Sequence, residues 1–120
     1  MTLNDYQRLA MTSCTQSSEN FAYMLLNLVG EVGEFSSKVA KEIRKDRMLI
    51  DDNELCRRSS EINAENLNLE LKKEAGDVFW QLAGLCSMMN WTLEDVAETN
   101  LDKLKSRKER GVIVGDGDNR

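Results

Sequence analysis

Glu31 and Glu34, in the stretch Gly30-Glu31-Val32-Gly33-Glu34, stand three residues apart. On a helix advancing about 100° per residue, this spacing puts the two carboxylates roughly 60° apart on one side, one turn above the other. They can share one ion. Glu74 and Asp77 repeat the arrangement in Lys73-Glu74-Ala75-Gly76-Asp77-Val78-Phe79-Trp80-Gln81-Leu82, again with a glycine inside the pair and an apolar run behind it. Two such pairs on two helices suggest a divalent-metal site. Four carboxylates converging at a core boundary repel one another unless a cation or protons neutralise them. Oxygen ligands in a chain without histidine point to Mg²⁺ or Mn²⁺ rather than zinc.

Spacing alone is weak evidence. With 21 acidic residues in 120, chance gives roughly four acid-x-x-acid pairs, and four occur, at 31/34, 51/54, 74/77 and 95/98. Context separates them. Asp51 and Glu54 lie in a polar stretch, and Asp95 and Glu98 belong to a charged helix whose first turn favours acids through the macrodipole. The other two pairs border apolar stripes. Leu25, Leu28, Val29, Val32, Phe35, Val39 and Ile43 recur at helical spacing, with Glu31, Glu34 and Lys38 on the adjacent edge. Leu71, Ala75, Val78, Leu82, Leu85 and Met89 do the same beside Glu74, Asp77 and Gln81. If the stripes pack together, the acid edges meet. The competing reading is two solvated helix edges, with Glu34 and Lys38 as an ordinary i,i+4 ion pair.

The elements that must hold these groups are helical. There is no proline, and alternating β-branched runs are scarce. A first helix starts at Thr2-Leu3-Asn4-Asp5 and reaches Ala10 or Cys14, and Ser17-Ser18-Glu19-Asn20 breaks it. A second spans about Phe21 to Ile43, a third Ala64 to Met89, and a fourth starts at the capping sequence Thr92-Leu93-Glu94-Asp95 and reaches about Lys108. Gly30 and Gly33 each cost about 1 kcal/mol against alanine inside a helix, which calls for close helix contact or room for a ligand. Between the long helices, residues 44–66 read as a polar insert, a loop with a short helix, more mobile than its neighbours. Met48, Leu49, Ile50, Leu55 and Ile62 are its anchors. The expectation is one all-α domain over residues 1–110, a bundle of about four main helices, with a glycine-rich tail at 111–120. Its apolar content of 41% suffices for a modest core, so apolar helix faces are expected to pair between subunits.

A net charge of -5 argues against a nucleic-acid polymer as partner, since phosphate backbones need a basic face. Cys14, Cys56 and Cys86 lack a metal-binding pattern and read as the reduced thiols of a cytoplasmic protein. No leader and no apolar run of membrane-spanning length is evident, so no membrane is expected.

Glu31-x-x-Glu34, then Glu74-x-x-Asp77 within Glu-Ala-Gly-Asp-Val-Phe-Trp, then Asn100-Leu-Asp-Lys103-Leu-Lys-Ser-Arg107, resembles the MazG-like all-α nucleoside triphosphate pyrophosphohydrolases. The resemblance runs from Tyr6-Gln7 to the tail, and it departs in the longer interval between the acid pairs. It implies a Mg²⁺-dependent cleavage of a nucleoside triphosphate to the monophosphate and pyrophosphate, in a homodimer or homotetramer, with a role in nucleotide-pool house-cleaning. Glu31, Glu34, Glu74 and Asp77 would be the metal ligands, with Glu34, or Glu31, activating the water. Lys38, Asn100, Lys103 and Arg107 are the polar candidates for substrate, Gln81 for a base-facing group, and Trp80, with Tyr6, for a ring that stacks on a base. Each has a structural alternative: cations near a helix C-terminus are favoured there by the macrodipole, and aromatics in bundles are usually core. Two rival classes are a dimeric dUTPase-like all-α hydrolase and a non-enzymatic helical interaction module.

Overall fold

The computed structural model describes residues 1–58 and 63–120. Four α-helices dominate it: α1 (Leu3–Ala10), α2 (Phe21–Arg44), α3 (Ala64–Met88) and α4 (Leu93–Glu109), with a short 3-10 turn, Met11–Ser13, after α1. Each helix starts where a side chain can take an orphan N–H. Thr2 Oγ1 accepts from Asp5 N–H while Asp5 accepts from Thr2 N–H, a complete capping box. Asn20, Asn63 and Thr92 accept in the same way from Tyr23, Asn66 and Asp95. Asn90, in the left-handed region at φ 57°, turns the chain between α3 and α4.

The insert differs from expectation. In place of a short helix it holds an antiparallel hairpin, β1 (Met48–Asp51) and β2 (Glu54–Arg57), with Met48 opposite Arg57 and Asp51 opposite Glu54. Its loop is Asp52-Asn53, and both residues have positive φ, 47° and 64°. That is the signature of a two-residue turn whose twist matches the strands, and Asp and Asn tolerate it better than most residues. Glu42, at the end of α2, takes Arg47 in a two-pronged ion pair, with Nε at 2.8 Å, and so ties the hairpin's root to the helix. Met48 is buried. Ile62, expected as an anchor, lies outside the described residues.

The small core sits where α1 lies across the corner between α3 and α4. Ala83, Cys86 and Leu93 are buried there under Tyr6, Met11, Phe79, Leu82 and Val96. Gln7 fastens the corner: its amide donates to Ser87 Oγ and Trp91 O, both at 3.0 Å, and accepts from Leu93 N–H at 2.9 Å. Asn4 donates to Glu94 at 2.7 Å, joining α1 to α4.

Helices α2 and α3 pack antiparallel, but not through the stripe expected. Val29 is 74% exposed and Val32 50%, and Leu25, Phe35 and Ile43 are exposed as well. The face of α2 turned to α3 is its more polar one, with Met24 and Glu42 buried. The acid edges meet because these faces pack directly; Leu28 and Val39 of the stripe are half-buried, and the rest of it is left exposed. Close approach permits it: a Cβ at Gly84 of α3 would stand 2.2 Å from Met24 Sδ. An apolar stripe marks a face that needs cover and says nothing about which surface supplies it.

Among the described residues, no helix is long and apolar enough to cross a membrane.

Candidate active site

The antiparallel register sets Met24 against Gly84, Asn27 against Gln81, and Lys38 against Glu70 and Glu74. Between these contacts, Glu31, Glu74 and Asp77 each bring a carboxylate oxygen within 4.8 Å of the other two. Oxygens bound to one Mg²⁺ at about 2.1 Å lie roughly 3 to 4 Å apart. The donor set is all hard oxygen, as a small hard cation requires. Three of the four expected ligands are thus brought together. Glu34, one turn beyond Glu31, is exposed and outside this group.

Lys38 has a different partner from either expected one. Its ammonium is 2.8 Å from Glu70 and 2.8 Å from Glu74, across the helix interface, rather than on Glu34 or free for substrate. Glu70 first, then Glu74, holds it protonated well above the ordinary lysine range. In return Lys38, with Lys73 second, pulls the Glu70 carboxyl below its usual value. One side of the acid group therefore already carries a protein cation.

A polar chain runs behind the other side. Asn27 Nδ2 donates to Glu31 Oε1 at 2.9 Å and to Gln81 Oε1 at 3.1 Å. Gln81, 1% exposed, donates to Met24 O at 3.3 Å and Tyr23 O at 3.4 Å. Gln81 was expected on the acid edge facing a base; it is a buried cross-link between the two helices instead. The glycine at 30 leaves room for the chain, because a Cβ there would stand 3.2 Å from Asn27 Oδ1.

Trp80 is likewise committed. Its indole N–H is 3.0 Å from Ala10 O and 2.9 Å from Ser13 Oγ, which pins the end of α1 to α3. Tyr6 stacks on Phe79 with ring centroids 4.5 Å apart. Burial, with a smaller contribution from the nearby Asp77 charge, pushes its phenol up. Both rings therefore hold α1 and the turn after it against α3.

On α4, Asn100 is exposed, and Lys103 and Arg107 face the tail. Asp118 places one carboxylate oxygen 2.9 Å from Arg107 Nη2 and 3.4 Å from Lys103 Nζ. Arg107, then Lys103, lowers its carboxyl below the usual range. Arg107 is 5% exposed and its Nε has no partner among the described residues. Gly117, at φ 76°, supplies a further acceptor through its carbonyl, 3.3 Å from Arg107.

Sequence reasoning missed Asn27 and Glu70. Both left a trace. Asn27 is the single polar residue in the run Met24 to Val29, and Glu70 stands one turn before Glu74 on the same side of α3.

Residues 19–112 match the family model described as the MazG nucleotide pyrophosphohydrolase domain. The match takes in α2, the hairpin, α3 and α4. The chain is also 40% identical over 105 residues to the Gene 37 protein of Mycobacterium phage L5, an alignment covering 87% of this chain and 80% of that protein. That name says nothing of chemistry. No solved structure matches the chain.

Proposed function

The chain belongs to the MazG nucleotide pyrophosphohydrolase family, and from that premise we propose that it hydrolyses a nucleoside triphosphate, with a ribose or deoxyribose sugar, to the monophosphate and pyrophosphate. The observation that carries this reading is the convergence of Glu31, Glu74 and Asp77 from two helices onto one point. These three residues would hold Mg²⁺, or Mn²⁺ in its place, with Glu34 as a fourth ligand from the rim. The ion, when bound, neutralises phosphate oxygens and the charge that grows on them during cleavage. Glu34, exposed and one turn from Glu31, would orient the attacking water and take its proton. Water adds its oxygen to the α-phosphorus, and the bond to the bridging oxygen breaks, releasing pyrophosphate.

Lys103 and Arg107 are the proposed partners of the substrate's phosphates, with Asn100 on the preceding turn. The Asp118 carboxylate supports this role, because it shows that both cations can take a single anionic oxygen at once. Lys38, Gln81 and Trp80 serve the site by holding its parts rather than by touching the nucleotide.

The protein is proposed to act as a homodimer or homotetramer. A folded monomer of this mass exposes about 6,600 Å², and this chain exposes 8784 Å². Its radius of gyration is 17.9 Å, against about 14 Å for a compact domain of the same length. The surplus of roughly 2,000 Å² is of the size that obligate interfaces bury per subunit. Leu25, Val29 and Val32, in the uncovered stripe, are where such an interface would form.

Pyrophosphate release from a panel of ribo- and deoxyribonucleoside triphosphates, with Mg²⁺ and with EDTA, tests the activity. Metal-dependent release supports it. Release from dUTP alone moves the assignment to the dUTPase-like class, and no release from any nucleotide leaves a helical interaction module. A cytoplasmic role in clearing unwanted nucleotides is the physiological setting we infer.

A further inference from the structure

We propose that Asn27 is a positioning residue for Glu31, and that Gln81 is the buried anchor that fixes which way Asn27 faces; the inference rests on the metal-site reading above. The polarity of the chain follows step by step. Gln81 is enclosed, so its amide must satisfy both ends inside the protein. Its nitrogen lies against the carbonyls of Met24 and Tyr23, which can only accept. Its oxygen must therefore point at Asn27 and needs a donor there. Asn27 answers with its amide nitrogen, and the same nitrogen has a second N–H, which falls on Glu31 Oε1 at 2.9 Å. The direction of every hydrogen bond is set by two backbone carbonyls of α2. The last bond needs an oxygen that accepts, and it holds Oε1 toward Asn27. The other carboxylate oxygen is then left free for a cation.

Outer partners of this kind typically change metal affinity by about 10- to 100-fold when removed. Neither acid pair in the sequence requires such a chain. It exists because Asn27 stands one turn before Glu31 and opposite Gln81 in the antiparallel register.

The test is Mn²⁺ binding to the full-length protein, followed by electron paramagnetic resonance without substrate, in wild type, Asn27→Leu, Gln81→Met and Asp77→Asn. Asn27→Leu removes the donor, and a loss of Mn²⁺ affinity of about 10-fold or more is expected. The Mg²⁺ concentration giving half-maximal rate should rise by a similar factor, while kcat at saturating Mg²⁺ changes only a few-fold. A merely structural role would leave the metal titration of the folded protein unmoved. Gln81→Met reads the same chain from its far end, with a weaker loss expected, and it decides the matter if Asn27→Leu does not fold. Wild-type Mn²⁺ affinity in either folded variant, beside lost binding in Asp77→Asn, overturns the proposal and leaves the metal site standing. Wild-type affinity in Asp77→Asn as well overturns the metal-site reading itself, and the proposal with it.

Discussion

Lys38 Nζ lies 2.8 Å from Glu74 Oε1, so a cation from α2 already rests on one member of the acid group carried mainly by α3. Without metal it is the resident counter-charge. Lys38→Met should therefore lower the melting temperature of the metal-free protein by a few degrees, because Glu70 and Glu74 lose their shared partner beside Glu31 and Asp77. Mg²⁺ should restore more stability to this variant than to wild type, since binding to the folded state alone raises stability by mass action. A thermal-shift series with and without Mg²⁺ measures both. Equal metal-induced shifts in the two proteins would remove Lys38 from that role.

Asp77→Asn keeps the volume of the side chain and deletes one charged ligand. The expected outcome is loss of pyrophosphate release, loss of the Mg²⁺-induced thermal shift, and a metal-free melting temperature at or above that of wild type, because one source of repulsion is gone. Glu34→Gln should also lose activity and lose part of the Mg²⁺ shift, less than Asp77→Asn does, since Glu34 is proposed as a rim ligand beside the converging group. Exposed Glu98→Gln is the control, with a stability change within about ±0.5 kcal/mol and unchanged activity. If all three variants behave alike, the acids are a solvated face.

Trp80→Phe separates a structural indole from one that stacks on a base. Losing the hydrogen bonds to Ala10 O and Ser13 Oγ should cost about 1 to 2 kcal/mol. The KM for the nucleotide should stay within a factor of two or so. Denaturant unfolding and steady-state kinetics on the same preparation give the comparison, and a large rise in KM at unchanged stability would return Trp80 to the substrate.

Acid should loosen the hairpin's root. Arg47 first, through its hydrogen bonds to Glu42, holds that carboxyl below the ordinary glutamate range. A lowered pKa in the folded state means stability that is present above the unfolded value, about 4.3, and is lost as pH falls through the folded one. Glu42→Gln should be less stable than wild type by about 1 kcal/mol at pH 7, a modest figure because Arg47 is half exposed. The two stability curves should converge below pH 4 or so. A constant gap down to acid would assign the loss to packing instead.

Gly84→Ala should destabilise by about 1 to 3 kcal/mol, because the added methyl meets the buried Met24 side chain. In a Met24→Ala background, itself costing about 2 to 5 kcal/mol, the Gly84→Ala penalty should largely disappear. A double-mutant cycle by denaturant unfolding reads the coupling, and additive effects would contradict the contact.

The four helices were legible because each has a capping residue at its start and an apolar period behind it, as Thr92 and Leu93 show for α4. The acid pairs were legible by their glycines and flanking runs. The hairpin was not, since Met48-Leu49-Ile50 is too short to show a period, and the signal that marks it, Asp52-Asn53, reads equally well as a loop. The uncovered stripe on α2 was visible as a stripe, but its partner depends on the register of two helices, which no local pattern encodes. Gln81 and Trp80 look like surface and ligand groups in sequence. Their roles depend on backbone carbonyls 57 or 70 residues away.

Met24 of α2 packs directly on Gly84 of α3. Glu31 and Asp77 each stand seven residues along their helices from this contact, about 10 Å at 1.5 Å per residue. A tilt of only 5° between the two rods at that point swings each carboxylate by about 1 Å. Displacements of that size at a reacting centre are enough to cost on the order of a hundredfold in rate. Room for the Met24 side chain at Gly84 therefore bears on the spacing of the acid group, and a substitution there is expected to lower turnover as well as stability.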